Sequence, residues 1–371
     1  MQTPRTKKLP LFYTHPIGSL PRPKNVRDLL ASKETMAPKQ YQASLDDVVR
    51  FAIRLQEQAG LDVVSDGEWR RQHYMGEFLQ RIGGFAKVRP YHHAGEVKKT
   101  LVCVGKMTAT RPVWNKDAEF LVKNTKRATK FALPSPFLVA IRCWHKDFSG
   151  KAYPTIQHFM AHLTKILRKE AQALVDAGID IIQLDDPALT YFCDSRLMDS
   201  GDTHDDRLRR EWNIDKQFPE AVNAINGIVD GLKAEIHLHC CHSVYKRQSD
   251  VHGDYKPILP RLKDARIDRV NIEFAYHATG TPDDLKLLPP NIGVGMGVID
   301  VRGEKLQTVE EVEAIGAAGA KTIAPSRIAL NPDCGFAPDA GEPPTIDEAY
   351  EKLSRLSQAA KRLRERFGGK K

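Results

Sequence analysis

Long apolar runs are missing from this chain of 371 residues. None approaches the ~18 residues of a membrane-spanning helix, and the opening MQTPRTKKLP lacks the apolar core of a secretory signal. Cysteine is scarce: six residues, two of them adjacent (Cys240 and Cys241), do not form the disulfide framework of a small secreted domain. Internal repeats and low-complexity tracts are absent, and so are helix-turn-helix, zinc-finger and RNA-binding signatures, which removes the grounds for a specific nucleic-acid partner. What remains, 41% hydrophobic and 28% charged residues, is ordinary globular composition. The expectation is a cytoplasmic protein with no membrane partner, for which a homodimer is left open.

Charge is unevenly spread. Residues 79–133 hold twelve Lys and Arg against three acids, which accounts for the whole net charge of +9. A local positive field favours anionic ligands and speeds their arrival; a solvated surface excursion would carry the same pattern.

Short apolar runs alternate with helix-period segments from end to end. The expected strands are 11–15, 62–66, 136–142, 179–185, 236–241, 269–274, 292–300 and 327–331, most of them stopping at Gly, Pro or Asp. Helices are expected at 45–59, 156–177, 256–265, 307–318 and 346–367. The clearest is 156–177, where Phe159, Leu163, Ile166, Leu167 and Ala171 recur at three- and four-residue spacing before Gly178. Eight strands alternating with helices predict an α/β fold, a (β/α)8 TIM barrel, with a doubly wound sheet as the other architecture. Residues 79–133 break the alternation and are read as an inserted basic, β-rich excursion after the second strand. The expected organisation is one catalytic domain over 1–371, with that insertion and a C-terminal helix at 346–367.

Polar residues collect at the ends of these strands: Asp66 and Glu68, Asp185, His239 and Cys241, Glu273, Asp300, and Cys334. In a barrel the carboxyl ends of the strands share one face, where active sites are built. Alternate residues of a strand share a face, so His237, His239 and Cys241 point one way, and an imidazole with a thiolate makes half a zinc site. A buried, reduced Cys–His pair is the other reading. Glu273 and Cys334 could complete a site. Asp66 and Glu68 could bind an ammonium group, hold a metal or act as base; equally, Asp66 could cap a turn and Glu68 pair with Arg70 or Arg71. Asp185 and Asp186, two carboxylates ending an apolar strand, point to a polar site. Gly18 and Ser19 with Arg22 could hold a carboxylate or form a plain turn.

Taken in order, HPIGSLPRP (15–23), SDGEWRR (65–71), IIQLDDPAL (181–189), HLHCC (237–241), VNIEF (270–274), GVGMGVID (293–300) and LNPDCGF (330–336) resemble the catalytic C-terminal half of cobalamin-independent methionine synthase, and more closely its short stand-alone members. The resemblance covers roughly residues 11–368. It implies a TIM barrel with one zinc ion, Zn2+, held by His239, Cys241, Glu273 and Cys334. It implies that Ile17 and Ser19 hold the carboxylate of homocysteine, and that Glu68 and Asp185 hold its ammonium group. The implied enzyme is a methyltransferase that moves a methyl group from 5-methyltetrahydrofolate, or another methyl carrier, to the homocysteine thiol. Zinc would supply the thiolate that a thiol of pKa ≈ 8.5 does not offer at neutral pH. Asp300 and Arg302 are the catalytic candidates on the donor side; Arg302 stands where the long members place a proton-donating His, and Tyr191 where they have a second substrate-binding Glu.

Two other functions fit parts of this pattern. One keeps the zinc and alkylates another thiol, as in epoxide opening by coenzyme M. The other is a non-enzymatic barrel that binds a polyanion through residues 79–133. On the methyl-transfer reading the same basic stretch could hold an anionic donor such as a polyglutamylated folate, with Lys98, Lys99, Lys126 and Arg127 as its test positions.

Overall fold

A computed structural model describes residues 3–71, 74–93, 96–109, 111–198, 211–276, 279–337 and 342–368. The strands are β1 (Val63–Val64), β2 (Phe85–His93), β3 (Glu96–Cys103), β4 (Ala128–Pro134), β5 (Ile181–Asp185), β6 (Glu235–His239), β7 (Val244–Tyr245), β8 (Gln248–Ser249), β9 (Arg269–Glu273), β10 (Gly293–Ile299) and β11 (Ile328–Pro332). Seven of them form one sheet in the order β1-β4-β5-β6-β9-β10-β11, every pair parallel. Segment 13–15 closes it. Thr14 bridges Leu330 in parallel, Leu330 N donates to Tyr13 O at 2.9 Å, and Val63 N donates to Thr14 O at 3.0 Å. The result is the expected (β/α)8 barrel, with 13–15 as its first stave.

Helices connect the staves. Ile156–Asp176 begins at Thr155, whose side chain accepts from His158 N, and buries Phe159, Leu163, Leu167, Ala171 and Leu174 along one face. Ile346–Phe367 starts in the same way at Thr345 and buries Leu353, Leu356 and Leu363. Pro38–Gln58 and Val309–Thr322 run longer than the sequence pattern suggested, and 256–265 contains only the short 3-10 turn Leu259–Asp264. No described helix is long and apolar enough to cross a membrane.

One expected strand is a helix. Pro136–Cys143 is helical because Ser135 Oγ accepts from Leu138 N and Pro136 occupies the first turn, where its missing N–H costs nothing. All but Arg142 of its residues are buried, so no amphipathic period marks it. The true third stave is β4, which lies inside the stretch read as an excursion. Its burial is complete, but Thr129 and Lys130 interrupt the apolar run that would have identified it.

The rest of that stretch is the antiparallel hairpin β2–β3 and the helix Asn115–Lys123. It is fastened to the barrel's outer layer. Buried Glu170 accepts from Val113 N and Trp114 N, each at 2.7 Å, and Phe85 meets Phe159 edge-on. Not all of the described basic residues face outward: Lys130 points into the barrel, and Arg81 pairs with Glu77 and lies over Trp114. The side chains of Lys98 and Lys99 fall outside the described residues.

Inside, the barrel carries a buried polar network. Tyr13, Val63, Ala128, Ile181 and Ala329 form a small apolar cluster. Around them Tyr13 Oη donates to Glu235 Oε1 at 2.6 Å, His237 Nε2 lies 3.0 Å from the same oxygen, and Arg269 Nε donates to Tyr13 Oη. Lys130 Nζ donates to Gln183 Oε1 at 2.7 Å and lies 2.9 Å from His15 Nδ1. Glycines on β10 make room: a Cβ on Gly295 would stand 2.1 Å from Asn271 Oδ1 and 2.5 Å from Asn331 Oδ1.

Burial pushes the Lys130 ammonium down to about 7, against the pull of Asp185 and Glu68. From there up to the ordinary lysine value, the unfolded chain holds a proton that the folded chain has shed, so this group's contribution to stability rises with pH. Below neutrality both states are charged and the full burial cost is felt. The stability of the wild type relative to Lys130→Met is therefore expected to improve by roughly 1 kcal/mol per pH unit above neutrality, read from urea unfolding at a series of pH values.

Candidate metal centre

The carboxyl ends of the staves bring together residues far apart in sequence. β6 alternates Glu235, His237 and His239 toward the barrel axis, and Cys241 follows on the same side. His237 stays within the barrel beside Glu235; burial drives its pKa down to about 4, despite that carboxylate. His239 stands higher, at the rim.

The ligand atoms of His239, Cys241 and Cys334 all lie within 4.8 Å of one another. The two sulfurs are 3.4 Å apart. His239 Nδ1 sits 3.0 Å from Asp185 Oδ1, and its Nε2 is buried with no hydrogen-bond partner. Burial opposes charge on this imidazole, yet Cys241 and Asp185 raise its pKa to about 10. One imidazole with its second nitrogen on a carboxylate, and two thiols, is a donor set that suits zinc. The orphaned Nε2 beside the sulfurs fits such an ion.

Glu273 is not in that group. It is fully buried at the end of β9, and its Oε1 accepts from His242 N at 3.0 Å and from Arg302 Nη2 at 2.7 Å. Burial would raise its pKa, but Arg302 and His242 hold it well below the usual carboxylate range. Arg302 also donates to Ser243 O and pairs with Asp333, the neighbour of Cys334. Asp300 Oδ1 accepts from Arg302 N at 2.7 Å, so its carboxylate shapes the turn after β10.

On the other side of the rim lie the remaining candidates. Glu68 is buried in a left-handed backbone conformation (φ 59°), directly after Gly67, and its Oε1 crowds Gly18: a Cβ there would be 2.5 Å away. Burial raises the Glu68 pKa against the pull of Arg71 and Arg22, and Asp185 raises it further. Asp66 Oδ1 accepts from Glu68 N at 3.0 Å and so braces the turn, while buried Arg71 lies between these acids and the rings of Trp114 and Phe131. Arg70 turns away to Asp46 and Asp117. Arg22 Nη2 donates to Glu68 O. Ser19 is latched to the Cys334 loop: Phe336 N donates to its carbonyl at 2.9 Å and Ala337 N to its hydroxyl at 3.3 Å. Tyr191 is buried on the turn after β5, its ring edge-on to Trp212.

Gln183 is the residue that strand-end reasoning missed. Its Nε2 donates to Ile17 O at 3.0 Å and to Asp185 Oδ1 at 2.7 Å, and its Oε1 accepts from Lys130 and Asn271. The signal was its place two residues before Asp185, on the same face of the strand.

Comparison with known proteins agrees with this geometry. A family model described as the catalytic domain of cobalamin-independent synthase matches residues 12–362. The methionine synthase of Pyrococcus horikoshii is 28% identical over 368 residues, covering 96% of this chain and 94% of that protein. That of Saccharolobus solfataricus is 27% identical over 364 residues, covering 96% of each. Among solved structures, a B12-independent methionine synthase from Shewanella sp. W3-18-1, in complex with selenomethionine, superposes with a TM-score of 0.77 at 26% identity, covering 96% of this chain and 98% of that one.

Proposed function

Since the chain belongs to the cobalamin-independent methionine synthase family, we propose that it is a zinc-dependent methyltransferase that methylates the thiol of homocysteine. The observation that carries this reading is the cluster of His239, Cys241 and Cys334, with Nε2 of the histidine unpartnered, on the same rim as the buried carboxylates Glu68 and Asp185. His239, Cys241 and Cys334 would hold the zinc. A zinc ion held there would keep the substrate sulfur as thiolate at neutral pH.

The chain's own residues then orient the substrate. Two nearby buried carboxylates repel each other, and a substrate ammonium group between Glu68 and Asp185 relieves that repulsion. The segment Ile17–Ser19 offers backbone groups to the substrate carboxylate, with Arg22 close by. Gln183 ties Ile17 and Asp185 together, so both ends of the amino-acid moiety are held from one amide. The sulfur forms its new bond to the methyl carbon as the bond from methyl to carrier breaks. The carrier, 5-methyltetrahydrofolate or another methyl donor, leaves with that electron pair and takes up a proton.

The test is zinc X-ray absorption on the whole protein with and without homocysteine. Two sulfur ligands rising to three are expected; an unchanged sulfur count overturns homocysteine as the acceptor. A sulfonate thiol such as coenzyme M would leave Glu68 and Asp185 facing no cation. It is expected to compete with homocysteine at least about tenfold less well, since one lost charge-assisted hydrogen bond costs that much.

A further inference from the structure

Below the rim, the barrel interior holds a connected polar set to which the methyl-transfer reading gives no task. Lys130, Gln183, Asn271 and His15 are all buried. Lys130 Nζ donates to Gln183 Oε1 at 2.7 Å and lies 2.9 Å from His15 Nδ1. Asn271 Nδ2 donates to the same Gln183 oxygen at 3.0 Å.

A side-chain amide has one accepting end and one donating end. With Lys130 and Asn271 both donating to the oxygen, the nitrogen must face the other way. There it meets two acceptors, Asp185 Oδ1 at 2.7 Å and Ile17 O at 3.0 Å. The reversed amide would set its NH2 against the Lys130 amine and its oxygen against a carboxylate and a carbonyl. Four hydrogen bonds between buried groups would be lost at once, and a buried polar group left without a partner is costly. The polarity of Gln183 is therefore set from beneath.

We propose that Lys130 and Asn271 are positioning residues for the amino-acid end of the substrate: by fixing which end of the Gln183 amide faces the rim, they hold Asp185 and the Ile17–Gly18 peptide in the arrangement that receives it. Asp185 Oδ1 is taken up by Gln183 Nε2 and by His239 Nδ1, which leaves Oδ2, bonded to none of the described residues, for the ammonium group. Holding Ile17 O turns the Gly18 N–H to the opposite side of their trans peptide, away from Gln183. The inference rests on the reading that these rim groups bind an amino-acid thiol. Charge alone would give Lys130 the opposite effect, since a cation that attracts Asp185 and Glu68 repels a substrate ammonium group. The sign of the change on removing Lys130 separates the two.

The experiment measures calorimetric binding of two thiols to the zinc-loaded full chain. One is homocysteine; the other is propane-1-thiol, the same skeleton without the ammonium and carboxylate groups. The proteins are the wild type, Lys130→Met, Gln183→Met and the double variant. Lys130→Met is expected to raise the homocysteine Kd about tenfold, the worth of about one hydrogen bond, and to move the propane-1-thiol Kd less than about threefold. In the Gln183→Met background the same change is expected to move the homocysteine Kd less than about twofold, because Lys130 acts through that amide. An unchanged or tighter homocysteine Kd in Lys130→Met overturns the inference. So does an equal loss for both thiols, which marks a structural or metal effect, and so does a loss that persists in full without Gln183. If Lys130→Met does not fold, Asn271→Leu, which removes the other donor to the same oxygen, is read by the same criteria. A wild type that binds homocysteine no more tightly than propane-1-thiol removes the amino-acid reading and this inference together. A wild type that prefers homocysteine, beside a Lys130→Met protein that keeps the whole preference, removes the inference alone.

Discussion

Cys334→Ser is expected to strip the metal from the protein and lower the rate of methyl transfer by about a thousandfold or more, since a metal that stabilises developing charge supplies several kcal/mol. The cluster has only three ligands among the described residues, and Cys334 and Cys241 supply both of its sulfurs. A serine oxygen is a harder and far less acidic donor than a thiol. Cys334 is only partly buried, on a loop after β11, and the change removes no packing volume of consequence, so the fold is expected to survive. Metal analysis of the purified variant, with circular dichroism as the folding control, checks both statements. A Cys334→Ser protein that retains stoichiometric zinc and a rate within tenfold of the wild type would mean that the cluster is not the centre of the chemistry.

Glu68 and Asp185 separate in a second experiment. Both are proposed to hold the substrate ammonium group, but only Asp185 touches a metal ligand, through His239 Nδ1 at 3.0 Å. Glu68→Gln is expected to raise the homocysteine KM about 30-fold, the loss of a charged hydrogen bond at about 2 kcal/mol, with zinc affinity unchanged. Asp185→Asn removes the same kind of contact and also the carboxylate that orients His239. It is expected to raise KM and to weaken zinc binding by about 10- to 100-fold. Steady-state kinetics beside chelator competition reads both. Equal zinc loss in the two variants would refute the separate roles. In the wild type, KM is further expected to rise as pH falls through the raised Glu68 pKa, because the protonated acid no longer pairs with an ammonium group.

Much of this site was legible before any coordinates. His239 and Cys241 lie at the end of one expected strand and Cys334 just after another, and strand ends of a barrel converge. Glu68 and Asp185 were legible for the same reason. Gln183 was not singled out because a neutral amide inside an apolar run reads as an interruption; only its four hydrogen bonds reveal what it joins. The third stave was missed because Lys130 breaks the hydrophobic pattern of β4, while the segment after Ser135, apolar up to Arg142, has the composition of a strand. A buried helix has no polar face to set its period, so its N-terminal Ser-Pro was the better guide.

By itself, the sequence determined the alternation of strands and helices, the barrel class and the chemical character of the rim, because these depend on local periodicity and on which residue types end each strand; it misplaced the third stave. The tertiary structure decided which of those rim groups meet. It closed the barrel through 13–15, placed Lys130 against His15 and Gln183, and paired Glu273 Oε1 with Arg302. Such choices are made between residues tens to hundreds of positions apart. They turn on desolvation and on ångström differences in distance, which a one-dimensional pattern does not carry.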